Sequence, residues 1–263
     1  MFSRAVAALL AALAALAALT AAPAAANRTA PASAAAPRGD LPGWRLVYVD
    51  RFAGTQLNAR WFGYSGVPGG DPAGRFATSH LRVGGGVLRI AGYRDPAYGG
   101  RFTTGGISSH ALARTYGKWL VRFRVDAGRG ISYAALLWPE ATPWPPEIDF
   151  AEDNGIADRA VTTATLHYRT STNPHAARHV THRVAMTGWH VMGVEWRPGR
   201  LTYTMDGRVW ARMSGAAVPR VPMRLALQTQ AWGCGGTWER CPDRSTPRRV
   251  DLEVDWVKVY RAA

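Results

Sequence analysis

The stretch Leu201-Thr-Tyr-Thr-Met-Asp-Gly-Arg-Val-Trp210 has the pattern of two short β-strands joined by a two-residue turn. Apolar and polar residues alternate on both sides of Asp206-Gly207, and Asp-Gly accepts the positive φ angles of a tight hairpin. Segments with the same period of two occur along the chain in both directions. They cover residues 44–49, 80–83, 87–91, 118–125, 131–138, 161–168, 190–196, 223–230 and 250–260.

These segments predict an all-β fold. Many strands at short spacing, separated by Gly and Pro and without a convincing long helix, are typical of a β-sandwich. A fold of βαβ units would need amphipathic helices between the strands, and the sequence lacks them. We therefore expect one domain built from two packed antiparallel sheets.

The N-terminal region has a different character from the rest of the chain. Arg4 is followed by an Ala/Leu run, and Ala24-Ala25-Ala26 supplies a cleavage site, so residues 1–26 are expected to be a signal peptide. A membrane anchor is the alternative. Residues 27–42 are rich in Ala, Pro and Ser and predict a flexible linker before a domain at 43–263. The expected location is extracellular, with no membrane contact after cleavage.

The chain is strongly basic, with 32 Lys and Arg against 18 Asp and Glu and a formal net charge of +14. The cationic residues are nearly all Arg and are scattered rather than clustered, which argues against nucleic-acid binding. A positive surface could still attract anionic polysaccharides by long-range steering. No feature of the sequence demands more than a monomer.

The chain has two cysteines, Cys234 and Cys241. In an exported protein such a pair is expected to form a disulfide. A loop this short gains roughly 2–3 kcal/mol in the chain-entropy model, so the bond would fix a local loop rather than hold the fold together. A metal site is the alternative, but it lacks evident further ligands.

An acidic segment, Glu147-Ile-Asp149-Phe-Ala-Glu152, concentrates three carboxylates in a chain that has few. Side chains at positions i and i+2 of a strand share a face, so Glu147 and Asp149 should point the same way. In a regular strand Glu152 would point to the opposite face. A β-bulge at Phe150-Ala151 would return Glu152 to its partners, and we predict that bulge.

Carboxylates this close repel unless their pKa values separate, and two carboxyls with separated pKa values suit acid–base chemistry on a glycosidic bond. With the bulge, four effective steps of about 3.3 Å would place the backbones of Glu147 and Glu152 roughly 13 Å apart. Their side chains reach inward, which leaves roughly 5–6 Å between the carboxyls and favours a retaining over an inverting glycosidase. A solvated acidic strand edge and a calcium cluster are the alternatives.

The acidic segment resembles the bulged E-x-D-x-x-E signature of glycoside hydrolase family 16. Similarity extends over most of residues 43–261, with family-like segments in order at 52–61, 116–119, 137–138, 189–207 and 254–260. The resemblance implies a concanavalin-like jelly-roll sandwich with a concave substrate cleft. It also implies Glu147 as nucleophile, Glu152 as general acid/base and Asp149 as the residue between them, with no cofactor required for catalysis.

The bulged signature is similar to that of laminarinase-like members, so the expected substrate is a β-1,3- or mixed β-1,3/1,4-glucan. Agarases, carrageenases, galactanases and transglycosylases of the family would keep the same three acids. A non-catalytic polysaccharide-binding protein is the alternative from another class, although such members usually lose one or both Glu residues. The segments 104–108 and 231–238 depart from the family pattern, and loops of this kind set the sugar subsites.

Sugar subsites need flat aromatic faces and planar hydrogen-bonding groups. Gln228 and Gln230 alternate onto one face of their strand, where two amides suit a cleft better than a core. The resemblance implies that His167 lies near the acid/base, with a structural His as the alternative. The expected substrate-binding residues are Trp138, Trp144, His167, Gln228, Gln230 and Trp232.

Two weaker signals concern metal ions. The resemblance implies that Asp255 takes part in a structural calcium site, and a solvent-facing strand Asp is the alternative. His175, His179 and His182 have spacings that could ligate a metal on a helix. Pro174 and the polar surroundings favour a surface loop for these three instead.

Overall fold

The computed structural model describes residues 39–69, 71 and 73–263. The predicted signal peptide and most of the predicted linker lie outside these described residues. Within them, no helix has the length and apolar character needed to span a membrane.

The described chain forms sixteen β-strands and three short 3₁₀ helices. In chain order the strands are β1 (Trp44–Asp50), β2 (Phe62–Gly63), β3 (Leu81–Gly84), β4 (Val87–Asp95), β5 (Arg101–Thr103), β6 (Gly106–Ser108), β7 (Gly117–Val125), β8 (Ser132–Pro139), β9 (Glu147–Glu152), β10 (Val161–Tyr168), β11 (Ala176–Arg183), β12 (His190–Arg197), β13 (Arg200–Met205), β14 (Arg208–Ser214), β15 (Met223–Gln230) and β16 (Val250–Ala262). The 3₁₀ helices are Thr78–His80, Pro96–Tyr98 and His110–Leu112.

The strands pair into two antiparallel sheets, as the sequence predicts. The larger sheet has nine strands in the order β14-β13-β12-β7-β16-β4-β3, with β1 also paired to β16 and β5 to β4. The smaller sheet has seven strands in the order β11-β10-β9-β8-β15-β6-β2. The acidic segment is strand β9, which lies inside the smaller sheet between β8 and β10.

The hairpin predicted around Asp206-Gly207 is confirmed. Met205 pairs with Arg208, and the two turn residues have φ angles of 50° and 80°. A non-glycine residue rarely adopts positive φ, and Asp is one of the few that tolerate it. The Asp206-Gly207 turn therefore sets the register in which β13 pairs with β14.

The core fills the space between the sheets. Trp119 on β7 and Trp196 on β12 are fully buried and stack with their ring centroids 6.0 Å apart. From the opposite sheet, β9 contributes Ile148, Phe150 and Ala151. Because apolar side chains occupy this inner face of β9, its acidic residues lie on the outer face.

The expectation of a surface loop around the three histidines is wrong for most of that segment. Residues from Ala176 to Arg183 form strand β11, which pairs with β10 along its whole length at the edge of the sheet. Most of its side chains are exposed on both faces, so the segment has no apolar alternation to reveal a strand. The histidines do not converge, since His175 contacts Trp144 and His182 stacks on Trp210.

Candidate active site

Strand β9 contains one residue more than its neighbours can pair. Leu136 on β8 pairs with Asp149, whereas the preceding Ala135 pairs with Ala151, so Phe150 is an extra residue in the ladder. The pairing of β9 with β10 has the same irregularity. The predicted β-bulge is therefore confirmed, at the predicted position.

The bulge determines which side chains share a face. Phe150 and Ala151 both enter the core, and Glu147, Asp149 and Glu152 all line a cleft on the other face of the sheet. In a regular strand Glu152 would enter the core, where an unpaired carboxylate costs several kcal/mol. The bulge lets all three acids face solvent-accessible space.

The cleft crosses the whole seven-stranded sheet. It extends from His179 on β11 to Phe62 on β2 and has a volume of about 1080 Å³. Two strands lie on one side of β9 and four on the other. At a strand spacing of about 4.8 Å, the cleft reaches about 10 Å from β9 in one direction and about 19 Å in the other.

Glu147 is oriented by a tryptophan that precedes it. The indole Nε1 of Trp144 donates a hydrogen bond of 2.6 Å to Oε2 of Glu147. The Trp144 ring contacts two histidine rings, with centroids 5.6 Å from His167 and 5.1 Å from His175. Trp144 lines the cleft as predicted, but its indole N–H is already hydrogen-bonded to Glu147.

Burial raises the pKa of Glu147 well above its usual range, and the neighbouring charge of Asp149 adds to this rise. His167 and the Trp144 N–H act in the opposite direction, because both favour the ionised carboxylate. Ionisation of Glu147 in this buried position therefore depends on these two partners.

Asp149 lies deeper than its partners, and burial raises its pKa well above the usual range, with a further rise from the charge of Glu152. Its Oδ2 lies 3.4 Å from Nε2 of His167. Glu147, Asp149 and His167 each have one oxygen or nitrogen atom that could coordinate a metal, and these three atoms all lie within 4.8 Å of one another. Such spacing could accept a metal ion, but two buried carboxyls this close also share a proton between them.

Glu152 accepts a short hydrogen bond at Oε1 from the hydroxyl of Thr165 on β10. Burial raises the pKa of Glu152 to about 7; the Thr165 hydroxyl opposes this rise, and the charge of Glu147 adds to it. A carboxyl with this pKa exists in both protonation states near neutral pH. It can therefore both donate and accept a proton.

A buried ion pair holds the turn that follows Glu152. Arg159 and Asp153 have fully buried side chains, and Nη1 of Arg159 donates to Oδ2 of Asp153 at 2.6 Å. The other oxygen of Asp153 accepts the backbone N–H groups of Tyr133 and Gly155. The turn directly after Glu152 is thus held in place.

A hydrogen-bonded wall flanks the acids on β8 and β15. Gln228 Nε2 donates to Gln230 Oε1 at 3.1 Å, and Gln230 Nε2 donates to Asp71 Oδ2 at 3.0 Å. Trp232 Nε1 donates to Ser132 Oγ at 2.9 Å. Both glutamines and Trp232 line the cleft, as the sequence predicts.

The predicted residue Trp138 also lines the cleft. It packs against a small apolar cluster on the outer face of the sheet, formed by Ala134, Leu136 and Ala226 with Tyr64 at its edge. This cluster provides an apolar surface next to the carboxylates. A cleft of this kind offers both ring-stacking surface and hydrogen-bonding groups to a sugar chain.

Several residues of the site escape sequence reasoning. Thr165 lies two positions before His167 in an alternating strand, so the period of two could have identified it. Asp71, Arg159 and Trp238 come from loops, where no spacing predicts that Asp71 meets Gln230, that Arg159 meets Asp153 or that Trp238 lines the cleft.

Asp255 lies on β16 in the other sheet, away from the cleft. An Arg122 guanidinium nitrogen donates a short hydrogen bond to its Oδ2, and both residues are nearly buried, at 7% and 6% exposure. A carboxylate paired with a guanidinium has its charge balanced, so it attracts a second cation much less than a free carboxylate does. The residues present therefore do not fit a calcium ion, and the solvent-facing alternative is equally wrong.

The predicted disulfide between Cys234 and Cys241 is present, with an S–S distance of 2.06 Å. It closes the loop that follows β15. Residues of this loop, Trp238 and Glu239, line the cleft.

A β-sandwich with a long cleft across one sheet and buried carboxyls in its floor is an arrangement that suits a glycoside hydrolase. Residues 77–258 match the model of the family described as glycosyl hydrolases family 16. The chain belongs to this family, which confirms the resemblance seen in the acidic segment.

Individual relatives agree with this assignment. The chain is 27% identical over 248 residues to a β-glucanase from Rhodothermus marinus, covering 84% of this chain and 86% of the relative. It is 24% identical over 160 residues to the endo-1,3-1,4-β-glycanase ExsH of Rhizobium meliloti, covering 60% of this chain and 33% of that relative. The X-ray structure of the laminarinase from Rhodothermus marinus superposes with a TM-score of 0.71 at 27% identity, covering 84% of this chain and 98% of the other.

Proposed function

We propose that this protein is a secreted, retaining endo-glycosidase that hydrolyses β-1,3- or mixed β-1,3/1,4-glucan by double displacement. The observation that carries the proposal is the bulge in β9, which brings Glu147, Asp149 and Glu152 to one cleft. Similarity to a β-glucanase, a laminarinase and an endo-1,3-1,4-β-glycanase supports glucan as the substrate.

In the first step, an oxygen of the Glu147 carboxylate attacks the anomeric carbon and forms a glycosyl ester. The bond from that carbon to the leaving oxygen breaks, and protonated Glu152 gives its proton to this oxygen. The Trp144 N–H holds the attacking carboxylate in place. For the attack the shared proton must lie on Asp149, which then donates a hydrogen bond to Glu147, so that two adjacent buried carboxyls carry one negative charge rather than two.

In the second step, Glu152 acts as the base. Its carboxylate takes a proton from a water molecule, whose oxygen attacks the anomeric carbon and releases Glu147. Two displacements at one carbon restore the original configuration. A pKa of Glu152 near 7 suits a group that must donate in one step and accept in the next.

The cleft supports cleavage within a chain rather than at its end. It crosses all seven strands, and lining residues occur on β2 at one edge and on β11 at the other. A polysaccharide can therefore extend past the acids in both directions. The longer arm, over β8, β15, β6 and β2, offers more subsites than the arm over β10 and β11.

Catalysis in this proposal uses only side chains of this protein and no cofactor, and the enzyme acts as a monomer outside the cell. The disulfide is consistent with an oxidising location. Because the segments 104–108 and 231–238 depart from the family pattern, galactan, agarose or carrageenan as the substrate, or transglycosylation as the reaction, are alternatives that a substrate panel tests.

The first experiment measures reducing-end release from laminarin, lichenan, galactan, agarose and carrageenan. Release from laminarin or lichenan supports the proposal, and release only from another polymer overturns the substrate assignment. Glu147→Gln and Glu152→Gln should each lose most activity. Glu195→Gln, which changes an acid paired with Lys118 on the other sheet, is the matched control.

The second experiment follows the anomeric proton of the initial product by NMR. Retention is expected from the two-step mechanism and from the carboxyl separation of roughly 5–6 Å that strand geometry predicts. An inverted initial product would exclude double displacement. Full activity of Glu147→Gln would exclude Glu147 as the nucleophile.

A further inference from the structure

An exposed tryptophan lies on the rim of the cleft, on the loop closed by the disulfide. Trp238 is 41% exposed and lines the cleft together with Glu239. Among the described residues, it is the only aromatic one in the group of large, exposed apolar side chains. Exposed apolar surface beside a binding cleft usually marks a contact with ligand.

The backbone that presents Trp238 is attached to the turn that follows the acid strand. Asn154, two residues after Glu152, donates from Nδ2 to the carbonyl oxygen of Trp238 at 2.8 Å. The Arg240 N–H donates to the Asn154 carbonyl, also at 2.8 Å. The side-chain amide and the backbone of one residue therefore hold the loop on both sides of Trp238.

Close packing against two glycines adds to this attachment. A Cβ at Gly130 would lie 2.4 Å from Cα of Pro242, and one at Gly155 would lie 3.1 Å from the carbonyl oxygen of Arg240. Both glycines have positive φ, at 87° and 81°. The loop can approach the turns before β8 and after β9 this closely only because neither position carries a side chain.

The disulfide completes the restraint by closing the loop between Cys234 and Cys241. A loop ordered before binding loses little conformational entropy when a ligand arrives. An indole ring combines a large apolar face with little flexibility of its own, which suits stacking on the apolar face of a sugar ring. The loop and the ring together therefore form a binding surface that is ordered before the ligand arrives.

We propose that Trp238 is a sugar-binding platform on the Glu152 side of the cleft, held in position by the Cys234–Cys241 disulfide. This inference rests on the proposed function, because it assumes that a polysaccharide occupies the cleft. Trp238 contacts a sugar ring of the bound chain and takes no part in bond breaking. The loop that departs from the family pattern thus contributes directly to affinity for the polymer.

The test compares Trp238→Ala with the wild type on laminarin and lichenan. We expect KM to rise about three- to tenfold, with kcat changed by less than about twofold, because a lost stacking contact weakens binding of ground state and transition state alike. Trp238→Phe keeps an aromatic face and should recover most of the affinity. Trp189→Ala is the matched control, because Trp189 packs beneath Arg122 and Arg124 on the other sheet.

The role of the disulfide is tested in the double variant Cys234→Ser/Cys241→Ser. This variant should show the same rise in KM, and Trp238→Ala should add little to it. A full additional effect of Trp238→Ala in that background would overturn the restraining role. An unchanged KM for Trp238→Ala in the disulfide-bonded protein would overturn the platform itself, as would an equal rise for Trp189→Ala.

Native gels containing each polysaccharide of the substrate panel give a readout that does not depend on catalysis. The polymer that retards the wild type should retard Trp238→Ala less. If no glucan is cleaved, the proposed function fails, but retardation by another polymer still tests the platform. Equal retardation of wild type and Trp238→Ala overturns the platform. So does a result in which none of the polymers retards the wild type.

Discussion

Trp144 and Glu147 are joined by a hydrogen bond of 2.6 Å from the indole N–H to the carboxylate. A sequence pattern cannot distinguish this role from that of a stacking platform, because both require an aromatic residue near the acids. The structure gives Trp144 a chemical function beyond its apolar surface. In the proposed mechanism, its N–H donates to the carboxylate that must be ionised for attack.

Trp144→Phe should therefore affect chemistry as well as binding. Without the N–H the pKa of Glu147 rises, so the acid limb of the pH–rate profile should move to higher pH. Hydrogen bonds to charged groups contribute about 1.5–3 kcal/mol, and kcat should fall by at least about tenfold. Trp138→Phe is the control, and an unchanged acid limb in Trp144→Phe would contradict the assigned role.

Thr165→Val should move the alkaline limb instead. The Thr165 hydroxyl stabilises the ionised form of Glu152, so its removal raises the pKa of Glu152. Protonated Glu152 then persists to higher pH. The alkaline limb of the profile of kcat/KM against pH should therefore move to higher pH by up to about one unit. Thr163→Val is the control, because the Thr163 hydroxyl bonds to Thr181 rather than to Glu152. A shift of equal size in the control would exclude a specific effect.

Arg159→Met should destabilise the whole domain. It leaves the Asp153 carboxylate buried without its cation, which costs about 3–5 kcal/mol of unfolding free energy. Arg249→Met removes a pair with Asp251 in which the Arg side chain is 41% exposed, and should cost less than about 1 kcal/mol. Urea unfolding measures both values. Similar losses of unfolding free energy in the two variants would show that the buried pair contributes no more to stability than the exposed pair.

Calcium should not stabilise the protein through Asp255. Because Arg122 already occupies the Asp255 carboxylate, thermal unfolding should have the same midpoint in EDTA and in calcium chloride. Arg122→Met serves as the comparison, since it frees the carboxylate. A rise of the midpoint with calcium in the wild type would show that the carboxylate binds the ion despite its arginine partner.

The acidic segment shows how far sequence reasoning reaches. Alternation places Glu147 and Asp149 on one face, and the charge of Glu152 makes its burial in the core too costly. Only a bulge satisfies both conditions, and the structure contains it. The same reasoning fails for β11, because an edge strand exposed on both faces leaves no alternating pattern.

The sequence by itself determined the class of fold, the strand that carries the acids and the disulfide, because each depends on local spacing and local charge. The tertiary structure decided which distant groups meet these acids: Thr165 on Glu152, Asp71 behind Gln230 and Trp238 on the rim of the cleft. It also decided that Asp255 pairs with Arg122. These contacts join residues far apart in the chain, and no local rule fixes them, because they arise only when the sheets pack and the loops close over them.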